Sequence, residues 1–253
     1  MAEHLRLLLE DVHLRHAAET LTPWLDRAAQ ESLSHHDFLV GLLEAELAAR
    51  ANAETQRRLQ RAGFPFAASI EQFDFHFRPD LKRQVVLRYL DPTFVEQAIC
   101  LALIGPPGLG KTMLAIAIAT KHVQLGYSAR FITAQALAGQ LGRASTPLGR
   151  QRVMRPFLNC DVLVLDELGY LPTESSFGPA IYELIAGRYE RKPTIITSNK
   201  SLTEWGSIVQ DPSLAAAIVD RLLHHGQVYY LKGPSWRVKG RVPIDPTQPE
   251  APA

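Results

Sequence analysis

The chain has 253 residues, 46% of them hydrophobic, and a formal net charge of +1. That size suits one medium domain with a small appendage, and the charge gives no global basicity pointing to nucleic acid. No apolar run is long enough for a transmembrane helix, and the amino terminus lacks the small-residue cleavage site of a secretory signal, so a cytoplasmic protein with no membrane partner is expected.

Residues 1–62 read as a small all-helical domain that buries its leucines on itself or on a partner. Leu5, Leu8, Leu9, Val12 and Leu14 recur at near-helical spacing, Leu21-Thr22-Pro23 breaks the pattern, and a longer helix runs from about 36 to 61. This part holds seven arginines, no lysine and ten acids, a net of −3. Gly63-Phe64-Pro65 ends the helix. Residues 63–79 then form a linker whose aromatics, Phe73, Phe75 and Phe77, seal the next domain.

From 80 to 241 the pattern alternates. Strands are expected at 99–104, 129–133, 162–165, 194–197 and 228–231, and helices at 112–125, 135–141, 177–190 and 214–224. Short β-rich runs separated by helices predict an α/β domain with a parallel sheet covered on both faces. Residues 242–253, proline-rich, read as a disordered tail. Cys100 and Cys160 lack CxxC spacing and read as reduced, buried thiols. The adjacent pairs His35-His36 and His224-His225 have no ligand spacing. Consecutive helical residues face different directions, so neither pair is expected to hold a metal.

The chemistry begins at Gly105-Pro-Pro-Gly-Leu-Gly-Lys111-Thr112, a full G-x-x-x-x-G-K-[ST] match lying between a strand and a helix. Glycines let backbone N–H groups turn inward around phosphate oxygens, and the helix N-terminus adds unpaired donors and positive potential. Lys111 reaches the β and γ phosphates, and the Thr112 hydroxyl ligates Mg²⁺. "DVLVLDELGYLP" supplies the acids. An apolar strand ends at Asp166-Glu167, at the edge where such sheets bind ligands. Asp166 holds the metal, and Glu167 orients and deprotonates the attacking water. The adjacent Glu favours hydrolysis over transfer to a small acceptor. "TIITSNK" ends in Asn199, which either closes a turn or hydrogen-bonds the water or the γ phosphate. Arg221 is either a helix-end cation or an arginine finger reaching a neighbouring subunit.

Together, "GPPGLGKT", "LVLDELGYLP", "TIITSNKSLTEWG" and "AAAIVDRLLHHG" resemble the IstB family, AAA+ ATPases that help the transposase of an insertion sequence and are similar to the helicase loader DnaC. The resemblance extends from residue 1 to about 241. It implies ATP and Mg²⁺ as cofactors, duplex DNA bound with little sequence preference, homo-oligomers on that DNA, and a transposase as partner. By position, Gly105, Pro106, Pro107, Gly108, Leu109, Gly110, Lys111 and Thr112 correspond to Walker A, with Met113 following. Asp166 and Glu167 correspond to Walker B, Asn199 to sensor 1, Arg221 to the trans finger and Arg237 to a second sensor. In "PSWRVK" a Trp stands where the family has Tyr. Only 54 residues follow Asn199, which leaves room for a minimal C-terminal lid at most.

Candidate DNA contacts are Arg143, Arg150, Arg152 and Arg155, in a stretch without an acid, together with Lys192 and Lys200; each alone reads equally as a solvated charge. Three other functions compete: a helicase loader of the DnaC type, a P-loop kinase for a small metabolite, and a nucleotide-gated DNA scaffold. Asp166-Glu167, Asn199 and Arg221 argue against the kinase.

Overall fold

The change of periodicity near residue 62 is a change of architecture. The computed structural model describes residues 2–78, 80–169 and 177–236. Residues 1–60 and 61–253 form two compact units.

The first unit is helical: α1 (Ala2–Asp11), α2 (Arg15–Glu31) and α3 (His35–Ala62), whose last two residues belong to the second unit. Its core is Ala17, Leu21 and Leu42, ringed by Leu9, Leu14, Trp24 and Phe38. The buried carboxylate of Glu46 accepts from the Ala17 N–H at 2.9 Å and from Arg50 at 2.6 Å, and so tethers the first turn of α2 to α3. The expected break at Pro23 does not occur, because α2 runs through it. An interior proline costs about 3 kcal/mol. Burying Leu21 alone contributes about 2 kcal/mol and the neighbouring apolar contacts add to it, which offsets that cost. On α3, Leu39, Leu43 and Leu47 lie four residues apart and are 54%, 45% and 64% exposed, an apolar stripe left uncovered.

The second unit is built on a five-stranded parallel sheet. After two short helices, α4 (Arg83–Leu87) and α5 (Thr93–Glu96), come β1 (Cys100–Ile104), α6 (Lys111–Gln124), β2 (Ala129–Thr133), α7 (Ala134–Arg143), α8 (Pro147–Asn159), β3 (Val162–Asp166), α9 (Phe177–Arg188), β4 (Thr194–Ser198), α10 (Trp205–Val209), α11 (Pro212–His224) and β5 (Gly226–Tyr230). The strand order is β2-β3-β4-β1-β5. Every residue of β1, β3 and β4 is buried, as central strands covered on both faces must be. Because β4 lies between β1 and β3, the C-terminal ends of these three strands stand side by side. That is the crevice in which such sheets hold ligands.

Residues 63–78 pack into this unit. Ala68, Ile70 and Phe73 are buried, and Ala68 sits against Ile116 and Ala117 of α6. Cys100 and Cys160 are free and buried. Arg188, 1% exposed, ends α9 and donates to the carbonyls of Phe157 (2.7 Å), Cys160 (2.8 Å) and Pro193 (2.6 Å) and to the Thr194 hydroxyl (3.0 Å). A buried guanidinium satisfied by carbonyls thus ties α9 to the entrances of β3 and β4. Among the described residues no helix is long and apolar enough to cross a membrane.

Candidate nucleotide site

The phosphate loop leaves β1 at Gly105 and enters α6 at Lys111. Gly105 donates its N–H to Ser198 O at 3.0 Å, and a Cβ there would meet Leu231 O at 2.3 Å. Only glycine fits so close an approach. Gly110, at φ +83°, is the residue before α6, in a left-handed conformation that L side chains disfavour. Lys111, 9% exposed, donates from Nζ to Gly105 O at 2.6 Å and Pro106 O at 2.7 Å, so its charge is held over the loop.

From the loop a hydrogen-bonded chain crosses the strand ends. Thr112 Oγ1 donates to Asp166 Oδ1 at 2.9 Å, and Thr197 Oγ1 donates to the same oxygen. Thr197 Oγ1 in turn accepts from the Glu167 N–H at 3.0 Å, and Thr197 O accepts from the Leu168 N–H at 2.9 Å. Asp166 is 4% exposed, while Glu167 is exposed and lines the cleft. Glu167 has φ +57°, a conformation that costs a non-glycine residue about 1–3 kcal/mol and persists only where neighbours enforce it. Here Thr197 enforces it from both its side chain and its carbonyl. Asn199 follows β4, and its Oδ1 is a buried acceptor without a hydrogen-bond partner among the described residues. A buried orphan acceptor at a cleft wall fits a site that receives a polar ligand.

The cleft has a volume of about 1150 Å³. It is lined by the loop, Thr112, Asp166, Glu167 and Asn199 and by an aromatic wall of Phe66, Phe73, Phe77 and Trp236. Phe77 and Trp236 meet edge to face at 4.9 Å. Arg78, 2% exposed, fastens the loop to this wall. It donates to Leu109 O at 3.1 Å and Pro234 O at 2.8 Å, while the Trp236 N–H donates to Gly108 O at 2.8 Å. The size, the loop donors, the Lys111 charge and the aromatic wall fit a nucleoside triphosphate. The Thr112 hydroxyl and the Asp166 carboxylate are the hard oxygen donors that suit Mg²⁺.

Lys111, Thr112, Met113, Asp166, Glu167 and Asn199 therefore share one cleft, and Leu109 and Pro107 line it too. Arg221 does not join them. It lies on α11, donates to Ala217 O at 2.9 Å, and rests over the rings of Tyr182 (4.9 Å) and Tyr189 (5.9 Å). Arg237 and the 242–253 tail lie outside the described residues. Arg78 and Thr197 escaped the sequence reading, in which Trp236 figured only as a Trp where the family has Tyr. A buried arginine looks like a surface one in a sequence, and no motif spacing marks Thr197.

Arg143 ends α7, and Arg150, Arg152 and Arg155 are exposed on α8. Only Arg152 of these lines a second cleft, of about 610 Å³, together with Arg61, Arg130 and Gln140 and with no acid in its wall. Lys192 is engaged with Asn159 O, and Lys200 with Glu204 at 3.1 Å. The expectation that His224 and His225 point apart is overturned: their rings lie 4.2 Å from each other, and both approach Glu190. The helical offset does not apply, because α11 ends at His224 and His225 has φ −122° and ψ 28°.

Comparison with known proteins agrees with this geometry. The chain is 36% identical over 239 residues to the ATP-binding protein of insertion sequence IS5376 from Geobacillus stearothermophilus, covering 94% of this chain and 95% of that one. It is 37% identical over 235 residues to the ATP-binding protein of insertion sequence IS21 from Pseudomonas aeruginosa, covering 93% and 89%. Among solved structures, AMPPCP-bound DnaA from Aquifex aeolicus superposes with a TM-score of 0.58 at 17% identity, over 70% of this chain and 54% of that one. DnaI superposes at 0.54 and 25% identity, over 66% and 89%. The second unit has the AAA+ P-loop fold. Residues 7–243 match the family described as IstB-like ATP binding protein, and the chain belongs to that family.

Proposed function

We propose that this protein is an ATPase that assembles on duplex DNA in the cytoplasm and assists the transposase of an insertion sequence. The observation that supports the ATPase reading is the hydrogen-bonded chain from Thr112 through Asp166 and Thr197 to the Glu167 backbone at the mouth of the phosphate loop. Backbone N–H groups of Gly108, Leu109 and Gly110 and the Lys111 ammonium hold the triphosphate, and the aromatic wall takes the base. Thr112 and Asp166 would hold Mg²⁺, which would supply charge neutralisation at the phosphates. Glu167 accepts a proton from the attacking water, and Asn199 helps to orient that water. Arg221 lies outside its own chain's cleft, which supports a role at a neighbour's γ phosphate and turnover that depends on assembly. Arg237 reads the nucleotide in cis.

The DNA face is the acid-free arginine surface of α7 and α8, with Arg143, Arg150, Arg152 and Arg155 meeting phosphates. Among the described residues none of the four forms an ion pair, unlike Lys200. The exposed Leu39-Leu43-Leu47 stripe of α3 supports a protein partner for the helical unit. Duplex binding measured with ATP across a salt series tests this reading. Unrelated sequences should bind alike and only with nucleotide. Arg152→Ala should weaken binding evenly across sequences and lower the slope of log K against log salt by about one. An unchanged slope would remove α8 from the interface.

A further inference from the structure

We propose that Glu190, His224 and His225 form a binding site for a transition-metal ion of the zinc class. The three residues come from the ends of two elements. Glu190 lies just beyond α9, at φ +57°, and the histidines close α11. Their ligand atoms all lie within 4.8 Å of one another. Glu190 Oε1 is 3.0 Å from His225 Nε2 and 3.7 Å from His224 Nδ1. A tetrahedral ion with ligands at about 2.0–2.1 Å separates them by about 3.3 Å, between those two values. The two Glu190–His distances need shifts of a few tenths of an ångström, and the two imidazole nitrogens, no more than 4.8 Å apart, are brought together by rotation of exposed side chains. All three are exposed, so an ion reaches them and water completes the shell.

The donor set selects the class. Two imidazoles and one carboxylate suit Zn²⁺, Ni²⁺ or Co²⁺ over Mg²⁺ and Ca²⁺, which prefer oxygen alone. The Tyr189 hydroxyl bonds His224 Nδ1, the nitrogen that faces Glu190, so an ion bound there displaces this hydrogen bond. Binding displaces the hydrogen bond between His225 Nε2 and Glu190; in the neutral ring the Nε2 proton is exchanged through solvent for one on Nδ1, so the ligand stays a neutral imidazole.

The cluster stands apart from the nucleotide chemistry. α11 leads directly into β5, whose first residue, Gly226, pairs with Cys100, the first residue of β1. The site is thus at the N-terminal edge of the sheet, whereas the phosphate loop leaves the C-terminal end of β1. An ion here joins the end of α9 to the end of α11, one turn from Arg221. The proposal stands whether or not Arg221 acts in trans.

Titration calorimetry of the untagged full chain with Zn²⁺ tests it, alongside the visible spectrum after Co²⁺ addition. One ion per chain and the absorption bands of tetrahedral Co²⁺ are expected. Glu190→Gln and His225→Ala should each weaken Zn²⁺ binding by at least about tenfold. His225→Gln, closer in size, should do the same in a chain whose circular dichroism is unchanged. Asp166→Asn and the paired Cys100→Ser, Cys160→Ser change should leave binding intact. Absence of zinc uptake, or uptake that survives Glu190→Gln and His225→Ala, would overturn the site.

Discussion

Glu167→Gln is expected to leave ATP and duplex binding intact while lowering ATP turnover by about 10²–10⁴-fold, the usual contribution of a general base. The residue is exposed in the cleft, and it is its backbone, not its carboxylate, that is fixed by Thr197. Glutamine keeps the side chain's size and the N–H bond, so the strained turn after β3 survives. What is lost is the proton acceptor next to Asp166. Phosphate release, measured beside binding of a fluorescent ATP analogue, separates the two effects. Undiminished release would refute the assignment.

Lys111→Ala is expected to abolish nucleotide binding, and with it ATP-dependent assembly on DNA. A hydrogen bond to a charged group is worth about 1.5–3 kcal/mol. Loss of two such contacts to phosphate oxygens corresponds to at least about a hundredfold in affinity. The loop itself should persist, because Gly105 N–H on Ser198 O, Trp236 N–H on Gly108 O, and Arg78 on Leu109 O hold it without the lysine. Equilibrium binding of ATP at matched circular dichroism measures this. An affinity within about threefold of the unaltered chain would show that Lys111 does not carry the phosphates.

The parts of the site that share a motif were legible from the sequence, because they are constrained twice. Gly105 and Gly110 are required by the backbone, and Lys111, Thr112, Asp166 and Glu167 by the spacing of strand, loop and helix. β1, β3 and β4 were legible for a related reason, since buried parallel strands are near-continuous apolar runs, and the observed bounds of all five strands fall within two residues of those expected. α8 was not, since only Met154 and Phe157 of its residues are buried and its exposed arginines mask the period. Its start, Thr146-Pro147, carried the signal: the Thr146 hydroxyl caps the Gly149 N–H at 3.0 Å, and proline fits the first turn. Pro23 misled because a local rule yielded to tertiary burial of Leu21. The approach of His224 to His225 was hidden because it depends on where α11 stops, and helix ends are the least certain feature of a sequence reading. Arg78 and Thr197 act through contacts 31 residues distant, to Leu109 and Asp166, which no local pattern encodes.

The central claim, that ATP is hydrolysed between neighbouring chains on DNA, is tested most directly by mixing two inactive variants. Arg221→Ala supplies an intact Glu167, and Glu167→Gln supplies an intact Arg221. With ATP, Mg²⁺ and duplex DNA, the mixture should release phosphate at a rate well above that of either variant alone, because some interfaces then contain both residues. A mixture no faster than the sum of its parts, with both variants still binding ATP and DNA, would contradict the account.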